Sequence, residues 1–282
     1  MCNPFMLRSS KEGTLELILT HLLPLIGAGL VAGFLAGLLG IGGGIVTIPV
    51  LVLVYRKVGM PEAWLMHIAI ASSLTAIIAT NTSSVFAHHR KQGVDWSIVK
   101  GWWFVVALGA VLGSFFAKGL KTAELVYFFA TLASLVAIKM MLPFDRWKLG
   151  SELPSSKARF VAPGLIGFFS AIMGIGGGSF SVPYMTLYSV PIHKAVGTAS
   201  LIGLVVSVSA GIGYLIGGWG ITGLPSGMAG FIHLPSAFTV AIAAVLMAPV
   251  GAKVAHMLPR TVLSIVFGIF LVVATIKLVS GI

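Results

Sequence analysis

Phe34-Leu-Ala-Gly-Leu-Leu-Gly40-Ile-Gly-Gly-Gly44-Ile-Val-Thr-Ile-Pro49 recurs 134 residues further on as Phe168-Phe-Ser-Ala-Ile-Met-Gly174-Ile-Gly-Gly-Gly178-Ser-Phe-Ser-Val-Pro183. Each copy sets a glycine cluster, then a proline, inside an apolar stretch. A glycine run holds a regular helix badly, and an unpaired amide in lipid is costly. Such a break survives at depth only where protein buries it or where it lines a watery cavity. Two breaks at matching places in the two halves of one chain point to a duplicated transporter with its site at the breaks.

The rest of the composition agrees with a membrane setting. Hydrophobic residues make up 57% of the 282 residues and charged residues 9%, with a mean hydropathy of +1.05. A soluble domain would carry about a quarter of its residues charged. Apolar runs lie between short polar loops at 15–39, 45–55, 64–86, 97–117, 123–142, 160–173, 179–190, 195–217, 234–256 and 261–280. None alternates with the period of two that a membrane β-barrel strand needs. The expected fold class is an all-α polytopic membrane protein. A polar tail covers 1–14, a first transmembrane repeat 15–142, an inter-repeat loop 143–159 and a second transmembrane repeat 160–282. Similarity extends beyond the glycines. Leu108–Leu120 aligns with Leu246–Leu258, best from Gly109 and Met247 onward, at an offset of 138. Ala69-Ile-Ala-Ser-Ser-Leu74 resembles Ala195-Val-Gly-Thr-Ala-Ser-Leu201 with one gap.

The number of crossings per half sets the symmetry: an even number gives parallel halves, an odd number inverted ones. A helix over Phe160–Met173 would be about 21 Å long and one over Ser179–Val190 about 18 Å. Neither spans a ~30 Å hydrocarbon core alone. Joined end to end they make one broken crossing. Folded back they make a re-entrant hairpin, which leaves three full transmembrane helices per half and inverts the repeats. With hairpins, the loops near 87–100, 139–159, 191–194 and 253–260 share one side and hold 11 of the 18 Lys and Arg. That asymmetry favours the hairpin and makes this side cytoplasmic.

Charge narrows the function. The chain has 18 Lys+Arg against 7 Asp+Glu, a net charge of +11. Basic loops hold cytoplasmic ends against anionic lipid, and the same field attracts anions. The basic residues are spread over short loops, which argues against nucleic acid. Cys2 is the only cysteine, and the adjacent pair His88-His89 lacks metal-ligand spacing, so no metal and no cofactor is expected. Glu12, Glu16, Glu62, Asp95, Glu124, Asp145 and Glu152 fall in the tail, in loops or near span ends. No carboxylate at depth suggests a proton relay or a cation site, and no cluster of acids, bases or nucleophiles suggests an enzyme or a catalytic residue. His67 reads as interfacial, and Lys139 and Lys277 as snorkelling.

The breaks themselves suit an anion. Where a helix restarts, its first amides lack internal partners and carry the positive end of the dipole. The substrate-binding residues expected on this basis are Gly42, Gly43, Gly44 and Thr47 in the first copy. In the second they are Gly176, Gly177, Gly178, Ser179 and Ser181. Ser73, Thr198 and Ser200 join them from the spans that follow. Gly40, Pro49, Gly174 and Pro183 are expected to shape the breaks. The scattered hydroxyls also suit close helix packing. Neither glycine cluster fits Gly-x-Gly-x-x-Gly or a P-loop.

At these residues the chain resembles the sulfite exporter TauE/SafE family of membrane transporters. The likeness rests on the paired Gly-x-Gly-Gly-Gly segments followed by proline, on Ala87-His-His-Arg-Lys-Gln-Gly-Val-Asp-Trp96 and on Lys194-Ala-Val-Gly-Thr-Ala-Ser200. It covers nearly all of residues 20–280. The resemblance implies two duplicated modules and transport of small anions, often sulfur-containing ones such as sulfite or organosulfonates. The first half reads Ala-Ser-Ser where the second keeps Gly-Thr-Ala-Ser. The expected function is secondary transport of such an anion across the cytoplasmic membrane by alternating access, with the lipid bilayer as the other partner. A passive anion channel and a non-transporting assembly or sensor subunit are the alternatives.

Overall fold

The computed structural model describes residues 22–39, 44–141, 148–154, 158–255 and 260–281. The tail at 1–14 and Gly40, Gly42 and Gly43 lie outside them. The described residues form helices α1 (Leu23–Leu39), α2 (Gly44–Lys57), α3 (Leu65–Arg90), α4 (Trp96–Lys118) and α5 (Thr122–Met141). They continue with α6 (Ala158–Met173), α7 (Gly178–Leu187), α8 (Ile192–Gly217), α9 (Leu234–Ala255) and α10 (Arg260–Val279). The chain is therefore an all-α membrane protein. Among the described residues, four stretches are long and apolar enough to cross a bilayer: Glu62–Arg90, Trp96–Lys118, Ile192–Gly217 and Leu234–Gly251. Thr122–Ile138 and Gly268–Val279 are shorter apolar helices, as are Leu23–Gly37 and Arg159–Met173.

Large apolar side chains point outward, the reverse of a soluble protein. On α4, Phe104, Leu108 and Leu112 recur every four residues and are 62%, 50% and 55% exposed. On α9, Phe238, Ile242 and Leu246 do the same. Such stripes meet lipid tails at no cost, whereas in water they would drive association. Inward faces carry small residues. Gly109 and Gly113 of α4 lie against the backbones of Gly164 and Phe168 in α6, and Gly29 and Gly33 of α1 lie against Val240 and Ala244 in α9. A methyl group on Gly33 would sit 2.5 Å from the Ala244 Cα. Glycine lets these backbones approach, and dispersion then holds helices that lipid would otherwise solvate equally well.

The sequence of contacts fixes the direction of each helix. Gly109 meets Gly164 and Gly113 meets Phe168, so α4 and α6 run parallel. Ser114 meets Gly213 and Lys118 meets Gly217, so α4 and α8 run parallel too. Gly177, at the start of α7, sits against Gly203 and Val206 halfway along α8, and a short turn joins α7 to α8. α7 therefore runs against α8, and against α6. The chain reverses at Gly174–Gly177 and forms a hairpin rather than a broken crossing. In the first half α1 runs with α9, since Gly29 meets Val240 and Gly33 meets Ala244. α9 runs with α3: His233, just before α9, meets Ser72, and Val240 and Ala244 share a cavity with Ala76 and Thr80. α2 folds back along α3, with Gly44 against Ile77 and an ion pair of 3.0 Å between Arg56 and Glu62 closing the connection. α3 and α8 cross in opposite senses: Ser84 bonds Ser200, and Asn81 lies against Gly203.

One connection departs from the all-helical expectation. Between α8 and α9 the chain forms a two-stranded antiparallel ribbon, β1 (Met228–Ala229) and β2 (Ile232–His233). Gly230, with φ +57°, makes its turn. Phe231 is carried inward, where its ring stacks on His67 at 5.1 Å and contacts Trp64 and Tyr214. His67 is fully buried among these side chains, and its Nε2 lies 2.9 Å from the Ala117 carbonyl near the end of α4.

Candidate functional site

The two breaks meet. Gly44, where α2 begins, packs on the Gly174 carbonyl and on Ile175 of the second break. Gly176 is wedged between Ile77 and Asn81 of α3 and Ser207 of α8, and Gly177 rests on Gly203. Ile77 and Gly203 lie at the middle of α3 and α8, the two 26-residue helices. Gly44 and the tip of the second break thus lie at mid-height of the longest described helices. Ser73 Oγ donates to the Gly174 carbonyl at 3.4 Å, and Tyr214 Oη donates to Ala171 at 3.2 Å, tying the foot of α6 to both halves.

The second break is a tight double turn. Gly174 and Gly177 hold φ of +64° and +69°, which side chains disfavour. Two amides of the restart bond locally: Gly177 N–H donates to Ile175 O at 2.7 Å and Gly178 N–H to Gly176 O at 2.8 Å. The dipole remains, but these amides are not bare, so side chains matter more than the glycines alone suggested. The prolines also act differently from a first-turn proline. Pro49 and Pro183 are each the sixth residue of their helix. Lacking N–H groups, they leave the carbonyls of Ile45 and Ser179 without the usual donor four residues on.

Around the tips, buried polar atoms go unpaired. Ser181 Oγ and Ser179 Oγ on α7, Ser170 Oγ on α6 and Asn81 Nδ2 on α3 have no hydrogen-bond partner, and each residue is at least 94% buried. Asn81 Nδ2 faces the break: a methyl group at Gly176 would lie 2.8 Å from it, and one at Gly203 2.6 Å. Buried donors of this kind normally have partners, and an orphan costs about 1–3 kcal/mol. A group of them points to a bound polar species. At the first break Thr47 is buried and lines a cavity of about 10 Å³ with Ala32, Ala36, Ala76, Ile77, Thr80, Val240 and Ala244, roughly the room one water needs.

Thr198 and Ser200 lie towards the start of α8, away from Gly177. Thr198 Oγ1 accepts the Asp95 backbone N–H at 2.9 Å, and Ser200 Oγ bonds Ser84 Oγ at 2.9 Å and donates to Val196 O at 3.0 Å. Both join α8 to the first half. A second bond of the same kind lies elsewhere: Ser72 Oγ on α3 accepts the His233 backbone N–H at 3.0 Å. Asp95 and His233 are 138 residues apart, and each directly precedes its helix. The Asp95 carboxyl is held below the ordinary range, chiefly by the Ser97 hydroxyl and with help from the Lys194 charge, while partial burial opposes the shift. Sequence reasoning counted Asn81 among the small polar groups of the following span but not among the expected binding residues, and it did not name Ser170. An amide in mid-span was the available signal for Asn81, and Ser170 gave none.

A helical membrane protein with paired hairpin tips at mid-height and orphaned donors around them has the build of a membrane transporter. The sequence profile of the sulfite exporter TauE/SafE family matches residues 25–278, and the chain belongs to that family. A probable membrane transporter protein of Haemophilus influenzae is 31% identical over 259 residues, covering 92% of this chain and 98% of its own. The probable membrane transporter protein YunE of Bacillus subtilis is 27% identical over 213 residues, 69% of this chain and 78% of its own. A third probable membrane transporter protein, from Methanocaldococcus jannaschii, is 26% identical over 250 residues, 85% and 89% of the two chains. No solved structure matches.

Proposed function

We propose that the protein is a secondary transporter that carries a small sulfur-containing anion, such as sulfite or an organosulfonate, across the cytoplasmic membrane by alternating access. One observation carries this reading: Asn81 Nδ2 faces the second break without a partner, and the helices that flank that break, α6 and α7, carry the unpaired buried hydroxyls of Ser170, Ser179 and Ser181. The anion lies there, held by those groups, by Thr47 and by the helix starts at Gly44 and Gly178. Gly176 and Gly177 carry no side chain that would block its approach, as the sequence leads one to expect of Gly42 and Gly43, and Ser73 steadies the second tip. Thr198 and Ser200 brace α8.

The two halves are inverted repeats, 15–142 and 160–282. Opposite senses of α3 and α8, with parallel α1/α9 and α4/α6 pairs, support this, because parallel repeats would reverse each of those relations. The glycine contacts agree as well. Gly33 on Ala244 and Gly167 on Val106 are related by the same offsets of 134 and 138 that align the sequences. Rocking one half against the other would expose the tips to each side in turn. Purified protein in proteoliposomes should show saturable counterflow of labelled sulfite or sulfonate, abolished by Gly43→Trp or Gly177→Trp at normal expression. Unchanged flux in those variants, or large unitary currents in voltage-clamped bilayers, would contradict a carrier.

A further inference from the structure

We infer that Thr198 and Ser72 are the latches of two opposed gates, one to either side of the second break. This rests on the alternating-access reading above and adds the residues that hold each mouth shut. Gly176 packs against Ile77 of α3, and its carbonyl against Gly203 of α8. Ser72 precedes Ile77 by five residues, and Thr198 precedes Gly203 by five. At a rise of 1.5 Å per residue, each hydroxyl lies about 7.5 Å along its helix from the level of Gly176. α3 and α8 run in opposite senses, so the two hydroxyls lie towards opposite ends of the helix pair.

Each latch joins residues 15–142 to residues 160–282. Thr198 Oγ1 accepts the Asp95 backbone N–H, and Ser72 Oγ accepts the His233 backbone N–H. The two acceptors are fully buried, while Asp95 and His233 are half-buried at the ends of their loops. Opening a mouth would let water replace the hydroxyl at the amide, so the net worth of each bond is small. A bond of that size biases a gate without locking it. Each latch also has a second contact beside it that crosses between the same segments. At the Asp95 end the Gly93 carbonyl lies directly against Gly197, and Ser84 bonds Ser200. At the His233 end the Phe231 ring packs on Trp64 and His67. Among the described residues both ends are thus closed at once, which is the arrangement of an occluded state.

The test uses a Cys2→Ser, Ser181→Cys parent in proteoliposomes, labelled by a membrane-impermeant maleimide from one side at a time. Thr198→Val removes the acceptor at the Asp95 end with little change of volume, and Ser72→Ala removes the one at the His233 end. Each should shift the ratio of the two labelling rates about fivefold towards its own end, so the two variants move it in opposite directions. Thr198→Ser keeps the acceptor and should keep the parent's ratio. A loss of stability alone would slow or speed both sides together. Ratios that stay unchanged in Thr198→Val and Ser72→Ala, or move the same way, would overturn the latches and leave alternating access standing. A parent that is not labelled from both sides would overturn both.

Discussion

Asn81 shows what a buried amide without a partner does to a protein. Its Nδ2 is desolvated on folding and recovers no hydrogen bond, so Asn81→Val should leave the unliganded protein as stable or make it about 1 kcal/mol more stable. The same variant should lose most of the thermal stabilisation that sulfonate gives the wild type. Thermal unfolding with and without the anion measures both effects, and a merely structural Asn81 would show a loss in the first. Gly177 behaves oppositely. Gly177→Ala forces a side chain into φ +69° and within 3.2 Å of Val206. It should lower stability by about 1–2 kcal/mol, seen as an earlier melting transition. The glycines and prolines of the breaks were legible in the sequence because nothing else explains two such runs in apolar stretches. Asn81 was legible only as one polar residue of its span among several, and Ser170 not at all, since such a residue reads equally well as helix packing and only the missing partner separates the two cases.

Elements reveal how the halves are tied. The loop before α4 bonds Thr198, and the loop before α9 bonds Ser72. Thr198→Val and Ser72→Ala each strand a backbone N–H at the junction between halves. Each should cost about 1–3 kcal/mol in thermal or chemical unfolding, with little effect on anion affinity. The Thr198 junction also carries a pH dependence. Asp95 has a depressed folded value, so its contribution is present above the unfolded-state value and is lost as pH falls through the folded one. Stability measured down an acid series should therefore fall less steeply in Asp95→Ala than in wild type. Helix positions and the short hairpin arms were legible from run lengths alone. The β1–β2 ribbon was not, because strands of two residues leave no periodicity, and the inward turn of Phe231 depends on Trp64, His67 and Tyr214 on distant segments.

At the scale of the molecule, opposite crossing of α3 and α8, opposite directions of α1 and α2 and of α6 and α7, and outward apolar stripes on α4 and α9 go with a cross-packing in which α1 lies on α9 and α6 on α4. On the alternating-access reading proposed above, a shift of the halves would open the break to each side in turn. Ser181 is buried on α7, just past the second break, and Cys2 is the only native cysteine, so a Cys2→Ser, Ser181→Cys protein reports on that position alone. Its labelling in proteoliposomes by a membrane-impermeant thiol reagent, applied to one side at a time with and without methanesulfonate, tests the central claim. Labelling from each side, slowed by the anion on both, is the predicted result; labelling from one side only, or at a rate the anion leaves unchanged, would contradict it.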